Sequence, residues 1–205
     1  MGEKMIERLT FFSDAVFAIA ITLLVIELHP PHLHFGPGAR HEALIELLKL
    51  TPQFIGFFVS FFVIGAFWAA HHRIFGMIGH YDGAIVWPNL FLLASIAFLP
   101  FSTAFMSVNS GQLVPHIFYL VTLLVSGLLQ VALYRRILSP RYLAADVDPI
   151  EVAMMRARIW GLPSATMLGF VIACVEPFAA NLALCATPLF IRFYMKMAAS
   201  RYAAA

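Results

Sequence analysis

The sequence predicts an all-α integral membrane protein with six transmembrane helices and both termini in the cytoplasm, and three observations carry that prediction. Of the 205 residues, 61% are hydrophobic and 12% charged, with a mean hydropathy of +0.86. That balance leaves no stretch from which a soluble domain could be carved. The apolar residues gather into six segments, 9–28, 51–70, 84–108, 114–138, 159–175 and 178–197. Most approach or exceed the roughly 20 helical residues that cross the hydrocarbon of a bilayer. The basic residues divide unevenly between the connections. Lys4 and Arg8, then Arg73, then Arg135, Arg136, Arg141, Arg156 and Arg158, then Arg192, Lys196 and Arg201 all fall on one side, eleven of the thirteen; only Arg40 and Lys49 fall on the other. The excess of Lys and Arg inside assigns the richer side to the cytoplasm. A net charge of +2 requires no nucleic acid partner. The expected organisation is a single six-helix domain over 1–205, with a cytoplasmic connector at 139–158.

The first segment is long enough to span, yet it carries Thr10, Ser13, Asp14, Thr22 and Glu27. An ionised carboxylate in hydrocarbon costs at least about 2.5 kcal/mol on insertion scales, so Asp14 should face protein or water and have a partner. At about 100° per residue, Phe12, Ala15, Thr22, Leu23 and Ile26 cluster within about 60° of Ile19, while Thr10 and Asp14 lie on the far side. One face is apolar with a single hydroxyl, and the other is polar. Periodicity alone leaves open whether the apolar face meets lipid or something else. The run continues past Ala18 and Ala20 without a cleavage boundary, so it reads as a retained helix, not a signal peptide.

Arg8, then Phe12-Ser13-Asp14, then Ala18-Ile19 and Thr22-Leu23-Leu24 together resemble the signature of the transmembrane protein 175 family of potassium channels, including its bacterial members. The resemblance implies that helix 1 lines a central pore, with its constriction at Ile19, Leu23 and Ile26 beyond it, and Thr22 as the polar pore-lining group. Animal members of that family carry two repeats of six spans, whereas this chain holds one FSD triplet. Assembly into a homotetramer is therefore expected, a closed ring with one Ile19 per subunit. The implied function is a potassium-selective or potassium-preferring cation channel in the cell (inner or plasma) membrane. It would not be an enzyme; its partners would be its own copies, the lipid bilayer and monovalent cations, and it would need no cofactor beyond the permeating potassium. No TVGYG loop is present to replace hydration water with carbonyls, so discrimination would fall to the apolar neck. The alternative from another class is a secondary transporter or exporter of a small solute. That architecture favours inverted repeats around a midplane site, and no internal repeat is evident.

The remaining elements follow in order. His29, His32 and His34 could ligate a transition metal, but no cysteine or carboxylate completes the cluster, and a polar, proline-stiffened turn running on into Gly36-Pro37-Gly38 is the favoured reading. Residues 42–49 form an amphipathic lead-in to the second span, whose first turn accepts Pro52. That span closes on Trp68, His71, His72 and Arg73, a cluster suited to a membrane boundary, and Asp14 could pair there with His71 or His72. The resemblance gives a sharper role, in which Trp68, His71, His72 and Arg73 contact Arg8, Phe12, Ser13 and Asp14 and brace the pore helix. Bracing is preferred to catalysis because no nucleophile or open metal site accompanies the histidines. Pro100 should kink the third span, and Ser95, Ser102, Thr103 and Ser107 read as helix-packing residues rather than a conduit. Pro149 should open a short helix in a solvated connector. Cys174 and Cys185 read as buried small apolar side chains. No P-loop, GxSxG, HExxH or CxxC pattern occurs.

Overall fold

Long apolar runs free of interior breakers become long helices, and Pro, Gly and charged clusters mark where they end. In the computed structural model, which describes residues 2–33 and 39–203, the elements are α1 (Gly2–Ile26), α2 (Ala39–Lys49), α3 (Thr51–Phe75), α4 (Val86–Ala97), α5 (Leu99–Val108), α6 (Leu113–Ile137), α7 (Pro149–Arg158), α8 (Gly161–Ala173) and α9 (Thr187–Ala203). Tighter 3₁₀ turns at Gly83–Ile85 and Phe178–Ala186 lead into α4 and α9. Among the described residues there is no strand; Ile78 and Leu143 form an isolated antiparallel bridge.

Among the described residues, five segments are long and apolar enough to cross a membrane: Lys4–Ile26, Thr51–Phe75, Gly83–Val108, Leu113–Ile137 and Phe178–Arg201. The chain is thus an all-helical, multi-pass membrane protein. The segment expected at 159–175 behaves differently. Only 13 residues of it, α8, are helical, about 20 Å at 1.5 Å per residue, which falls short of the roughly 30 Å of hydrocarbon. Glu176 and Pro177 stop it. The third span bends where Pro100 required: α4 and α5 meet at Phe98, and Pro100 lies in the first turn of α5, where its missing amide is tolerated.

The helix α1 packs against α3, α4 and α5, while α6 packs against α4, α5 and α8, and α9 against α7 and α8. Close approach of α3 and α5 depends on Gly56, where a Cβ would come 2.8 Å from that of Ser107. Thr103 Oγ1 donates to Ser60 Oγ (2.7 Å), and Ser60 and the Tyr119 hydroxyl share a bond of 2.9 Å. These hydroxyls join three helices, as expected of small polar residues in a membrane bundle.

The connector 139–158 contains the expected short helix. Asp148 caps α7 by accepting from Ile150 N (2.8 Å), with Pro149 in the first turn. It is, however, tied down more firmly than a solvated linker. Gly79 N donates to Tyr142 O (2.8 Å) and Ala144 N to Met77 O (2.9 Å). The approach is so close that a Cβ on Gly79 would lie 2.5 Å from Ala144 Cα. Arg156 Nη2 donates to Leu138 O (2.7 Å), satisfying a carbonyl at the end of α6. One end of the bundle therefore gathers the start of α1 (Gly2 lies beside Tyr81), the loop after α3, the connector and α7.

Candidate functional site

Every third or fourth residue of α1 faces the bundle. Ser13, Phe17, Ala20 and Leu24 are buried, each 2% exposed or less, the periodicity of a helix with one packed stripe. Ser13 is the polar member of this stripe. Its hydroxyl donates to Leu9 O (2.8 Å) and accepts from Asn89 Nδ2 (2.9 Å) of α4. Asn89 Oδ1 in turn pairs with His71 Nε2 (2.8 Å) of α3. Because the Asn89 amide nitrogen is spent on Ser13, its oxygen must accept, so His71 Nε2 carries the proton. The His71 ring stacks on Phe75 with centroids 4.0 Å apart and tilts against Phe17 at 5.4 Å. Three helices are thus joined by a buried chain of hydrogen bonds in an apolar jacket, where an unmade bond is costly.

Beside this chain, Trp68 Nε1 donates to Asp14 Oδ1 at 2.9 Å. The expectation that Asp14 pairs with His71 or His72 is corrected accordingly: the indole takes the carboxylate, and His71 goes to Asn89. The reason is angular. Ser13 and Asp14 diverge by about 100° around α1, so the hydroxyl points into the core and the carboxylate along its edge; Trp68, about 60° from His71 on α3, lies on that same edge. His72 is exposed, its ring centroid 5.8 Å from that of Trp68. Of the residues expected to act together, Ser13, Asp14, Trp68 and His71 are brought together. Arg8 and Arg73 are exposed, and Phe12 is half exposed, with no hydrogen bond to this cluster among the described residues. Asn89 was not singled out by the sequence reading. The available signal was an amide inside an apolar span, a group that needs a partner.

The other side of α1 is unpacked. Ile19 is 57% exposed and Ile26 66%, with Leu23 and Thr22 beside them also exposed. The Thr22 hydroxyl donates back to the helix, 2.9 Å from Ile19 O and 3.1 Å from Ala18 O, which leaves its oxygen lone pairs facing outward. A stripe of branched aliphatic side chains with one hydroxyl oxygen can exclude water or lie against a second apolar surface.

The other candidate residues are less organised. His29 Nδ1 bonds to Glu27 O (3.0 Å), His32 is exposed, and His34 with Gly36-Pro37-Gly38 lies outside the described residues. No cluster of three His, Cys, Asp or Glu side chains fit for a metal occurs among the described residues. Cys174 and Cys185 are exposed free thiols in this chain, not buried ones, Cys174 at the end of α8 and Cys185 in the 3₁₀ turn before α9. Asp82, beside the bundle end described above, accepts from Arg141 Nη2 (2.6 Å), the Tyr142 hydroxyl (3.0 Å) and Ala84 N (2.9 Å). Desolvation opposes its ionisation, but the Ala84 amide, the Tyr142 hydroxyl and Arg141 outweigh it and hold the carboxyl below its ordinary value of 3.8.

Residues 8–100, which contain the α1 stripe and the whole Ser13–Asn89–His71 chain, match the family described as the endosomal/lysosomal potassium channel TMEM175. Across 93% of the chain, the fold superposes on the crystal structure of a lysosomal potassium-selective channel TMEM175 homologue from Chamaesiphon minutus, covering 98% of it at 25% identity with a TM-score of 0.78. Residues 8–100 of this chain are similar to the TMEM175 family. A potassium channel of Streptomyces collinus is 39% identical over 100 residues, 49% of this chain and 47% of that one. A potassium channel of Chamaesiphon minutus is 41% identical over 100 residues, again 49% of this chain and 48% of that one. The aligned part thus spans about half the length of these relatives.

Proposed function

We propose that this chain is the subunit of a homotetrameric, potassium-selective or potassium-preferring cation channel of the cell membrane, with both termini cytoplasmic and no enzymatic activity. In this reading the four copies of α1 surround the pore, and 1–205 acts as one repeat that crosses the membrane six times, α8 completing the fifth crossing with its flanking turns. The observation that supports it is the division of α1 into a packed stripe and an exposed one: the Ile19, Thr22, Leu23 and Ile26 side is left exposed by the described residues of its own chain. The relatives named as potassium channels support the same reading.

In a ring of four, Ile19 side chains offer no oxygen to a passing ion. Potassium holds its water less tightly than sodium, so a narrow apolar neck that strips or distorts the hydration shell passes it more readily. A further narrowing expels water and closes the path. Thr22, about one turn along α1, presents hydroxyl oxygens that partly replace the lost water, which is the chemical use of the lone pairs left free by its backbone bond. The Ser13–Asn89–His71 chain and the Trp68–Asp14 bond hold α1 at a fixed rotation against α3 and α4, and Arg8, Phe12, His72 and Arg73 flank that contact. Bilayer recording tests the neck. Ile19→Asn should reduce discrimination between potassium and sodium by about tenfold, a change of about 1.4 kcal/mol between the two barriers. An unchanged ratio in a conducting variant would remove Ile19 from the selective step.

A further inference from the structure

The bundle is open between α3 and α9, because α9 packs on α7 and α8. The resulting groove has a volume of about 580 Å³, with Phe58 and Phe62 of α3 on one wall, Leu162 and Ile191 on the other, and Gln130 and Tyr134 of α6 along it. The two α6 side chains are bonded, Gln130 Nε2 donating to the Tyr134 hydroxyl oxygen at 3.2 Å. The charged members of the lining are Arg158 and Arg192, and no carboxylate is among them. Arg158 is half buried and makes no hydrogen bond or ion pair among the described residues. Burial, and then the neighbouring Arg73, both depress its pKa. Among the described residues no carboxylate offsets this corner.

A ligand complementary to the groove needs a negative group at one end and an aliphatic body. From Arg73 to Phe58, α3 rises about 22 Å, more than the roughly 15 Å of hydrocarbon in one leaflet, so an acyl chain fits along the walls. We propose that the groove holds an anionic phospholipid, its phosphate between Arg158 and Arg192 and an acyl chain running past Phe62 and Leu162 toward Phe58. Inorganic phosphate would leave the aromatic walls without a partner, and a zwitterionic headgroup would bring an ammonium to a corner already rich in arginine.

Native mass spectrometry of the purified full chain, titrated with phosphatidylglycerol and with phosphatidylcholine of the same chains, tests this without reference to ion flux. It therefore stands or falls separately from the channel reading. The wild-type protein should retain phosphatidylglycerol about twenty-five-fold better, since each of the two basic side chains at an anionic surface contributes about fivefold. The preference should shrink as salt rises. Arg158→Gln with Arg192→Gln should abolish it, while Phe62→Trp, which fills the groove, should weaken both lipids alike. Equal retention of the two lipids by the wild-type protein overturns the proposal whether or not the variants fold. A preference that survives loss of both arginines overturns it too. If Phe62→Trp breaks the oligomer and leaves lipid retention intact, the groove is an interface between copies and the lipid assignment falls.

Discussion

The two sides of α1 obey different rules. On the inward side each residue is accounted for by this chain alone: Phe17, Ala20 and Leu24 fill the core, Ser13 meets Asn89, and Asp14 meets Trp68 at the edge. On the outward side, Ile19, Thr22, Leu23 and Ile26 are exposed, with no packing among the described residues to choose them. Folding of the single chain constrains the first set and is indifferent to the second. Side chains that the fold does not demand are where a different requirement can be written. The comparison is sharpest when one substitution on each side is measured in the same two assays, stability and permeation.

The largest effect on stability is expected inside. Asn89→Leu leaves the His71 Nε2 proton and the Ser13 oxygen without their partner in an apolar setting, and should cost about 3 kcal/mol, since each stranded buried group carries about 1–3 kcal/mol. Thermal unfolding in detergent, followed by circular dichroism, should show the loss. The outward Ile19→Asn, by contrast, should alter stability by less than about 0.5 kcal/mol, as for a surface position, while changing the ion ratio. A large melting shift from Ile19→Asn would mean that the outward stripe is part of the fold after all.

How far the sequence could be read follows the same division. Helix existence was legible because apolar composition and length decide it, and the α4–α5 break because Pro100 removes a backbone donor that the helix needs. The stripe at Ile19 was legible as a face, since 3.6-residue periodicity is a property of the sequence itself. The partners of Asp14 and His71 were not. Both choices depend on which neighbouring helix approaches at which rotation, and a shift of one residue, about 100°, exchanges a core position for an edge position. Asn89, 76 residues from Ser13, left no local mark beyond being an amide in a greasy run. The pinning of the connector by Asp82, Arg141 and Tyr142 was illegible for the same reason: the residues are about sixty positions apart and meet only once α3 and α6 are side by side. The length of α8 was not legible because hydropathy counts apolar residues, whereas helix length is set by where the backbone stops, here before Glu176 and Pro177.

A smaller effect should come from the edge of the inward face. Asp14→Ala removes the acceptor of the Trp68 indole, but that bond lies at a partly exposed margin where solvent can substitute, so the expected loss is about 1 kcal/mol. Because the carboxylate sits next to Ser13, the same variant should also loosen the rotation of α1, seen as a broader distribution of single-channel conductances. Asp14→Asn keeps an acceptor and should restore most of the stability. If Asp14→Asn is as damaging as Asp14→Ala, the charge matters in itself and a cation other than the indole must meet it.

The smallest expected effect tests whether the connector belongs with the packed region or with the free surface. Asp82 has a depressed pKa in the folded chain, so its ionised form contributes stability that is fully present above the unfolded value of 3.8 and is lost as pH falls through the lower, folded value. The wild-type protein should therefore keep the Asp82–Arg141–Tyr142 contact throughout the neutral range and give it up only in acid. Asp82→Asn should be slightly less stable at pH 7 and should show a shallower loss on the acid limb, because the wild-type carboxyl takes up a proton on unfolding between its folded and unfolded pKa values and an amide takes up none. Amide hydrogen exchange at Gly79 and Ala144, whose backbone N–H groups tie the two loops together, reads the same event locally. Faster exchange in Asp82→Asn at neutral pH would tie the carboxylate to the loop contact. Unchanged exchange would mean that the backbone bonds and the tight Gly79–Ala144 approach hold the loops by themselves.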